Sequence, residues 1–446
     1  MDRLAALACA LSLAACAGDV RSDDTVDAGG ATELTLRVEN IALFDVLKAS
    51  ATRTKVGGGD GHLAPGEAYE LRFTAGIGHH VTFASMLVES NDWFLAPVSE
   101  GIPLYANGEP VSGDVTSYVR LWDAGTELDQ EPGVGDATGV RQPTRTTGAP
   151  DPDPRVRLVD DIATLTDGAT FARPSVASMI RVTLTPGADR MFTLRIENIS
   201  RNSTLVTSQG ARAVTIGPVA WAVHTLAAPL FIEGYPARAN GLEELAEAGN
   251  ADAMSAALRL QRGTPGPLSR GIVVVHRDAA PLFTAGEGDR GEGLEALVED
   301  GDEASVMTMD GALALATPLG GTDPAPLLAG QAYEVTFTAR PGDRVSFATG
   351  LASANDWFFA PSPDGIELFH GPFPRWGDVT SDIRLFDLGT ELDEELEVGP
   401  NTGTQQPAPG MGRPDRVTTV REVTLDRYES SLARQIRVTL MPAVPE

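Results

Sequence analysis

The chain has 446 residues, of which 42% are hydrophobic, and its formal net charge at pH 7 is −28. That length and apolar content suffice for two or three domains with buried cores. The acidic balance argues against nucleic acid, whose phosphates require a basic binding surface, and it disfavours anionic lipid headgroups as partners. Calcium, cationic partners and simple solubility are all compatible with this charge.

The N-terminus predicts an export signal followed by a tether. Residues 4–15 form an apolar run that is too short to span a bilayer. Its end, Leu13-Ala14-Ala15-Cys16, resembles the lipobox of bacterial lipoproteins, which implies a signal peptide over 1–15 and lipidation of Cys16. An ordinary secretory signal, with Cys16 incidental, is the alternative. Residues 16–33 are mostly small and acidic, so we expect a flexible tether there.

The same segment predicts where the protein resides. We expect an exported protein that is anchored to the cell envelope through a lipid on Cys16. Ala17 stands where some Gram-negative bacteria use Asp for inner-membrane retention, which favours the outer membrane or the cell surface. Cys9 and Cys16 are the only cysteines, so the processed chain cannot form an internal disulfide.

The rest of the chain is dominated by short runs in which apolar and polar residues alternate. Residues 34–40 show this pattern, and residues 192–198 repeat it at the start of a second copy. Such alternation predicts half-buried β-strands, and Gly, Pro and Asp punctuate the intervals between them. Together these features predict antiparallel sandwiches. Similar runs occupy residues 69–74, 81–86, 119–122, 180–184, 333–338, 345–349, 383–386 and 436–440.

One domain occurs twice, at a constant offset of 264 residues from Tyr69 and Tyr333 to Pro143 and Pro407. A fixed offset over about 75 residues indicates a duplicated domain. We predict one sandwich over 34–186 and a second over 187–446. The matched motifs are Asn91-Asp92-Trp93-Phe94 with Asn355-Asp356-Trp357-Phe358, Gly113-Asp114-Val115-Thr116-Ser117 with Gly377-Asp378-Val379-Thr380-Ser381, and Trp122-Asp123-Ala124-Gly125-Thr126-Glu127 with Phe386-Asp387-Leu388-Gly389-Thr390-Glu391.

The second copy contains a segment, about 221–310, that the first copy lacks. Within it, three motifs recur at an offset of 52 residues, and the Gly-Leu-Glu-x-Leu motif predicts short surface helices. The predicted fold is therefore all-β, with two antiparallel β-sandwich domains, the second of which carries a helix-containing insertion. The recurring motifs are Val223-His224, Ala228-Pro229-Leu230-Phe231 and Gly241-Leu242-Glu243-Glu244-Leu245, with Val275-His276, Ala280-Pro281-Leu282-Phe283 and Gly293-Leu294-Glu295-Ala296-Leu297.

These motifs resemble the spondin N-terminal domain, especially its bacterial extracytoplasmic members, over nearly all of 34–446. The resemblance implies a C2-like β-sandwich that binds calcium, found in secreted matrix and adhesion proteins without catalytic activity. The chain departs from the animal members because it lacks their cysteines. The second copy also has Phe386 and Leu388 where the first has Trp122 and Ala124. These changes weaken the expectation of a second metal site relative to the first.

Calcium takes six to eight oxygen ligands, mostly from carboxylates and carbonyls on loops. Loops at one end of a sandwich can bring Asp92 close to Asp123 and Glu127, and the spondin resemblance implies these same positions. Asp129 is an outer candidate. The alternative is that Asp92 and Asp123 cap turns through bonds to backbone amides.

The second copy offers the corresponding set. Asp356, Asp387 and Glu391 are its expected calcium ligands, with Asp393 as the outer candidate. Turn capping remains the alternative here too. Asp114 and Asp378 are better interpreted as turn residues.

The aromatic and imidazole side chains fit structural roles better than chemical ones. Trp93 and Trp357 are expected to anchor cores rather than to stack on a ligand. His79 and His80 could form a metal set with His62, but adjacent residues in a strand point to opposite faces. The sequence contains no zinc-protease helix, nucleophile elbow or nucleotide-binding glycine loop.

Three functional classes follow. The leading hypothesis is a lipid-anchored extracytoplasmic binding or adhesion protein, not an enzyme, with calcium-stabilised loop ends and a cell-surface or envelope protein or glycan as partner. The second is a structural envelope spacer without a specific ligand. The third is a carboxylate-dependent glycoside hydrolase, a class that carries no short signature.

Overall fold

The computed structural model describes residues 30–42, 46–142, 144, 147–225, 229–263, 266–277, 280–424 and 434–442. The expected signal peptide and Cys16 lie outside these residues, as does most of the expected tether. Thr32 and Glu33, at the end of that tether, already belong to the first strand. Within the described ranges, none of the helices is long and apolar enough to cross a membrane.

Strands make up most of the regular structure, and short helices are few. Up to the middle of the chain, the strands are β1 Thr32–Asn40, β2 Val46–Thr52, β3 Ala68–Thr74, β4 His80–Leu87, β5 Trp93–Pro97, β6 Ile102–Pro103, β7 Tyr105–Ala106, β8 Glu109–Pro110, β9 Gly113–Asp114, β10 Val119–Asp123, β11 Arg157–Leu158, β12 Ile162–Thr164, β13 Thr170–Ala172, β14 Ile180–Pro186, β15 Met191–Asn198, β16 Leu205–Thr207, β17 Gly210–Arg212 and β18 Ile216–His224.

The later strands are β19 Leu268–His276, β20 Ala312–Leu315, β21 Ala332–Ala339, β22 Arg344–Leu351, β23 Trp357–Pro361, β24 Ile366–Glu367, β25 Phe369–His370, β26 Phe373–Pro374, β27 Gly377–Asp378, β28 Ile383–Asp387, β29 Arg421–Glu422 and β30 Ile436–Pro442. The α-helices are α1 Val176–Met179, α2 Leu242–Ala248, α3 Ala251–Leu260 and α4 Leu294–Asp300. Short 3₁₀ turns span Thr116–Tyr118, Val306–Thr308 and Thr380–Asp382.

These strands form two antiparallel β-sandwiches, as the sequence predicts. In sandwich 1, a sheet of order β3-β15-β14-β9 packs against a sheet of order β11-β10-β5-β4-β18-β2, with β6 beside β4. In sandwich 2, a sheet of order β21-β1-β30-β27 packs against a sheet of order β20-β19-β22-β23-β28-β29, with β24 beside β22. Alternating apolar residues from both sheets fill each core, as inward-facing positions of a sandwich require.

The first strand of each sequence copy lies in the sandwich formed mainly by the other copy. β1 pairs with β21 and β30, so that Leu36 lies opposite Val335 and Leu440. β15 pairs with β14 and β3, and Leu194 occupies the equivalent position. The expected division between residues 186 and 187 therefore does not separate the sandwiches. The reason is local: the chain reverses within 187–190, where Gly187 N donates to Met191 O at 2.7 Å, and a strand leaving a tight turn pairs with the strand before it.

The segment predicted to be an insertion in the second copy is also shared between the sandwiches. β18 pairs with β4 and β2 of sandwich 1, whereas β19 pairs with β22 and β20 of sandwich 2. Phe231 packs edge-on against Phe94 at a centroid distance of 5.2 Å, and Phe283 packs against Phe358 at the same distance. Helices α2 and α3 extend the outer layer of sandwich 1, and α4 extends that of sandwich 2. The repeat at an offset of 52 residues thus gives each sandwich one strand, one phenylalanine and a helix.

As a result, sandwich 1 is inserted into sandwich 2. In sandwich 1, the β16–β17 hairpin connects β15 to β18; in sandwich 2, all of sandwich 1 connects the equivalent strands β1 and β19. The inserted sandwich contacts the segment 395–405 of sandwich 2. Ile77 N donates to Gln405 Oε1 at 2.7 Å, Arg190 donates to Val398 O at 2.7 Å, and Lys48 forms an ion pair with Glu395.

Candidate metal centre

Two paired strands of sandwich 1 end with aspartates at the same edge. Asp92 immediately precedes β5, Asp123 is the last residue of β10, and Asp123 pairs with Trp93. The Trp93 side chain enters the core and is 1% exposed, as its predicted role requires. Its indole Nε1 donates to Asp129 Oδ1 at 2.6 Å and so brings a third carboxylate to this edge.

The three aspartates form a compact cluster. Asp92, Asp123 and Asp129 each offer an oxygen atom, and these atoms lie within 4.8 Å of one another. Asp92 and Asp123 are almost fully buried. Within the described ranges, these residues are the one group of three carboxylate, imidazole or thiol side chains that meets this spacing.

Turn capping and cluster formation use different oxygens of the same carboxylates. Asp92 Oδ2 accepts bonds from Thr126 N at 2.7 Å, Thr126 Oγ1 at 3.0 Å and Glu127 N at 3.0 Å. Asp123 Oδ1 accepts a bond from Gly125 N at 2.6 Å, as a turn-capping aspartate does. The second oxygen of Asp92, Oδ1, is buried and accepts no hydrogen bond. The two interpretations left open by the sequence are therefore compatible.

Burial and mutual repulsion disfavour full ionisation of this cluster. Burial is the main cause that raises the pKa of Asp92, to about 6. Burial, followed by the charges of Asp92 and Asp129, raises the pKa of Asp123 to about 9. Arg157 opposes the shift because its guanidinium pairs with Asp123, but it also pairs with Asp151 at 2.6 Å. Asp123, Asp129 and Asp151 thus share one guanidinium, Asp92 adds a fourth carboxylate to the cluster, and an additional proton or cation would relieve their repulsion.

Glu127 does not lie in the cluster, where the sequence predicts it. Its Oε1 accepts a bond from Gly148 N at 2.7 Å, and its Oε2 lies 3.5 Å from the donor Asn91 Nδ2. A Cβ atom on Gly148 would lie 2.4 Å from the Glu127 carboxylate, so this loop packs directly on it. Glu127 therefore fixes the loop around residue 148, and Asp129, which the sequence suggested as an outer candidate, completes the cluster.

Sandwich 2 reproduces the carboxylate bonds closely. Asp356 Oδ2 accepts bonds from Thr390 N at 2.8 Å and Glu391 N at 3.0 Å, and Asp356 Oδ1 is buried without a hydrogen bond. Asp387 Oδ1 accepts a bond from Gly389 N at 2.9 Å, and its Oδ2 pairs with Arg421 at 2.6 Å. The same turn therefore holds the same two aspartates.

The outer residues of the second set make the same bonds as those of the first, but Asp393 is exposed where Asp129 is half-buried, and this set does not meet the 4.8 Å spacing of the first cluster. The Trp357 indole, 4% exposed in its core, donates to Asp393 Oδ1 at 2.6 Å. Glu391 Oε1 accepts a bond from Gly412 N at 2.8 Å, so Glu391, like Glu127, holds a loop rather than facing Asp356 and Asp387. Phe386 packs on Phe283 in the outer helical layer, and its replacement of Trp122 leaves the turn bonds of Asp387 unchanged.

Sequence reasoning missed two kinds of residue at these sites. The first is the arginine, Arg157 in sandwich 1 and Arg421 in sandwich 2, which the 264-residue offset relates. The second is a helix glutamate. Glu299 Oε1 of α4 lies 2.6 Å from Thr390 Oγ1, and burial is the main cause that raises the pKa of Glu299 to about 8. Glu247, its counterpart on α2, is 2% exposed. The repeat at an offset of 52 residues, followed two residues further, would have revealed this glutamate pair.

The remaining predicted residues lie away from the clusters. Asp114 and Asp378 are exposed and accept bonds from Thr116 N and Thr380 N, as turn residues do. His79 is buried and accepts a bond from Gly76 N at 2.9 Å, and burial lowers its pKa to about 3. The ring of His80 lies 5.9 Å from that of His224, and His62 lies beside Gly249.

Comparisons with known proteins add no family: no protein-family model matches the chain, and no curated protein matches its sequence. The class of protein is therefore defined by its structure. It consists of two antiparallel β-sandwiches, one inserted in the other, each with an outer helical layer and a buried set of aspartates at one loop end.

Proposed function

We propose that this chain is an extracytoplasmic, lipid-anchored binding or adhesion protein of the spondin type, in which calcium stabilises the loop ends of both sandwiches. The observation that carries this proposal is the unpaired oxygen at each site, Asp92 Oδ1 and Asp356 Oδ1. A buried polar atom without a partner costs about 1–3 kcal/mol, and more when it is charged. A bound cation would remove that cost.

The donor chemistry fits calcium. The cluster in sandwich 1 offers only carboxylate oxygens, the ligands that hard cations prefer, and no sulfur or imidazole. The charge fits as well, because Arg157 is the one guanidinium that acts on Asp123, Asp129 and Asp151, and Asp92 adds a fourth carboxylate to the cluster. Carbonyl groups and water would supply the remaining ligands. Bound calcium would hold together the turn and the loops that leave it, and so order a recognition surface for a cell-surface or envelope protein or glycan.

Burial favours binding over hydrolysis. Asp92 is 0% and Asp123 2% exposed, and both are tied to turn amides. In most glycosidases, by contrast, the acid and the nucleophile or base must reach the scissile bond or an attacking water. We therefore propose a non-enzymatic role. A spacer role would give two stable sandwiches without a cation response, and this difference makes calcium titration the decisive experiment.

The experiment is a calcium titration of the mature protein by calorimetry, with thermal unfolding in calcium and in chelator. We expect two sites in the wild type and one in each of Asp92→Asn and Asp356→Asn. At a free calcium concentration of about 100 times Kd, each site adds about 2.7 kcal/mol to the free energy of unfolding. The matched controls Asp114→Asn and Asp378→Asn alter exposed turn aspartates and should retain both sites. Absence of both binding heat and a thermal shift in the wild type would refute the calcium proposal.

A further inference from the structure

The segment 395–405, through which sandwich 2 contacts sandwich 1, contains a buried carboxyl group that the calcium proposal does not use. Glu397 is 4% exposed, and its Oε1 atom is buried and accepts no hydrogen bond from the residues that the structure describes. Its other oxygen, Oε2, accepts a bond from Thr404 Oγ1 at 3.1 Å. Burial with an unsatisfied oxygen disfavours the ionised carboxylate far more than the neutral acid.

The backbone is strained at the same residue. Glu397 has a φ of 63°, in the left-handed region that residues with a side chain rarely adopt. Its carbonyl oxygen packs closely on sandwich 1, because a Cβ atom on Gly76 would lie 2.5 Å from it. The contact between the sandwiches therefore holds Glu397 with both its backbone and its carboxyl group in unfavourable states.

Sandwich 1 has neither cost at the equivalent position. The residue 264 positions earlier is Gly133, which has a φ of 75° and no side chain. The buried acid beside it is Glu89, whose two carboxylate oxygens accept bonds from Thr215 N at 3.0 and 2.9 Å. The counterpart of Glu89 in sandwich 2 is Ser353, whose backbone oxygen accepts a bond from Glu397 N at 2.8 Å. Sandwich 2 therefore has its carboxyl group at the position that lacks a backbone donor for Oε1.

The bonds that hold the two sandwiches together flank Glu397 on both sides. Glu395, two residues before it, forms an ion pair with Lys48. Val398, the next residue, accepts a bond from Arg190 at 2.7 Å through its backbone oxygen. Because both bonds are so close in sequence to Glu397, a movement that brought its carboxylate into water would displace them as well.

The charged and titratable groups around this contact have other partners. Within the described ranges, none of them forms a hydrogen bond or an ion pair with the Glu397 carboxyl group, and burial is the main cause that raises the pKa of Glu397 to about 7. His79 is neutral, because burial lowers its pKa to about 3. The groups are Lys48, His79 and Arg190 of sandwich 1, Glu394 and Glu395 of the segment itself, and Glu299 of α4.

We propose that Glu397 is a pH-sensitive switch at the contact between the sandwiches: its protonated side chain keeps the segment 395–405 closed on sandwich 1, and its ionisation loosens this contact. The ionised carboxylate gains water only by leaving its buried position, and relief of the strained backbone favours the same movement. The switch does not depend on calcium.

The sign of the effect follows from the direction of the pKa shift. The pKa of Glu397 in the closed contact, about 7, lies above its ordinary value of 4.5. Protonation therefore supports the closed contact fully below about 4.5, and this support is lost as the pH rises through about 7. The contact should be firmest in mild acid and loosest above neutral pH.

The test is hydrogen exchange of the mature protein in chelator between pH 5 and pH 8, followed by mass spectrometry. Rates are expressed as protection factors, which removes the intrinsic effect of pH on exchange. We expect the protection of 74–77 and 395–405 to fall at least about tenfold over this range, within the limit of about tenfold per pH unit that one proton allows.

Three variants isolate the carboxyl group. Glu397→Gln keeps a neutral side chain of the same size, and Glu397→Gly introduces the residue that sandwich 1 has at this position. Both should retain at pH 8 the protection that they show at pH 5. Glu89→Gln, the matched control, removes a buried acid that has backbone donors, and it should keep the fall seen in the wild type.

Three results would overturn the inference. Equal protection of the wild type at pH 5 and pH 8 would show that no switch exists. An unchanged fall in Glu397→Gln and Glu397→Gly would assign the titration to another group. Low protection of both variants at both pH values would show that Glu397 only fills space. Calcium binding by Glu397→Gln, measured by calorimetry, should equal that of the wild type, so the switch and the calcium proposal can fail independently.

Discussion

The two sandwiches keep the same carboxylate bonds but differ in what covers the loop that follows the cluster. In sandwich 1, this loop contacts the small β16–β17 hairpin: Ser208 Oγ donates to Glu131 Oε2 at 2.6 Å, and Arg212 donates to Gly133 O at 3.2 Å. In sandwich 2, the equivalent segment, 395–405, contacts the whole inserted sandwich. The two copies therefore keep the turn that the aspartates bond, but a different part of the molecule contacts the loop after it.

Because of that difference, the two clusters lie next to different contacts. Asp393 is two residues from Glu395, which binds Lys48 and Thr74 of sandwich 1. Asp129 is two residues from Glu131, whose side chain binds Ser208 between β16 and β17. A change at the second cluster should therefore affect the contact between the sandwiches, whereas a change at the first should remain local. The predictions below test this contrast, beginning with the largest expected effect.

The placement of β1 in sandwich 2 and of β15 in sandwich 1 can be tested with matched leucines. Leu36→Ala should lower the free energy of unfolding by about 2–5 kcal/mol, the usual cost of a cavity in a core, and loosen sandwich 2. Leu194→Ala should have a similar cost and loosen sandwich 1. Hydrogen exchange followed by mass spectrometry locates the loosened sheet. If Leu36→Ala instead raised hydrogen exchange in β3 and β14, the placement of β1 in sandwich 2 would be wrong.

The clusters can be compared through the loops that they order. In saturating calcium, Asp356→Asn should raise hydrogen exchange in 395–405 and in 74–77, because both lie at the contact between the sandwiches. Asp92→Asn should raise exchange in 205–212 instead. Each variant should lose about 2.7 kcal/mol of calcium-dependent stability at 100 times Kd. Identical exchange patterns in the two variants would contradict the prediction that the two clusters order different segments.

The contact between the sandwiches can be disrupted at one glycine. A Cβ atom on Gly76 would lie 2.5 Å from Glu397 O and 2.7 Å from Gln405 Oε1. Gly76→Ala should therefore cost about 1–3 kcal/mol, as overpacking does, and separate the sandwiches. Carbodiimide cross-linking measures the effect, because Lys48 pairs with Glu395 across the contact.

An internal control is present in the same reaction. Lys48 and Lys55 are the only lysines, and Lys55 pairs with Glu67 at 2.9 Å within sandwich 1. Gly76→Ala should reduce the Lys48–Glu395 cross-link and leave the Lys55–Glu67 cross-link unchanged. A loss of both products would indicate unfolding of sandwich 1, and retention of both would show that Gly76 does not control the contact.

The smallest effect is the contribution of Glu397, in sandwich 2, to the pH dependence of stability. Burial raises the pKa of Glu397 to about 7, opposed by the Thr404 hydroxyl, and the equivalent residue of sandwich 1 is Gly133. An acid whose folded pKa is raised stabilises the fold below its unfolded pKa, near 4.5, and loses this contribution as pH rises through about 7. The slope should not exceed about 1.4 kcal/mol per pH unit for one proton. In thermal unfolding, Glu397→Gln should remove this contribution and so reduce the slope between these values, to which Asp92 and Glu299 also contribute; Gly133→Ala should leave the slope unchanged.

The sequence predicts much of this architecture because its local patterns are strong. Alternation predicts the strands, and the constant offset predicts two sandwiches. Asp92 and Asp123 lie together because the paired strands that they flank end at the same edge of the sheet. The alternation could not assign β1 and β15 to their sandwiches, because Leu36 and Leu194 lie in nearly identical segments that fit either sheet. Only the short turn at 187–190 distinguishes them.

Whether Glu127 or Asp129 joins Asp92 and Asp123 in the cluster is also decided by contacts that the local sequence pattern does not contain. The two residues are two positions apart, so each can turn toward the same edge. The Trp93 indole donates to Asp129, and Gly148 N donates to Glu127. Neither donor is adjacent in sequence to the residue that it holds. Charge and spacing alone therefore could not separate the cluster member from the loop anchor.

The insertion of sandwich 1 also imposes an order on folding. β1 precedes the other described strands, yet its partners β21 and β30 come after all of sandwich 1, so it lacks them while sandwich 1 is synthesised. During that interval it competes with β15, whose sequence is nearly the same, for the exposed edges of β3 and β14. A long delay before pairing slows folding and exposes strand edges to wrong partners. The first of the described strands is therefore exposed to mispairing during folding until β15 occupies its place between β3 and β14.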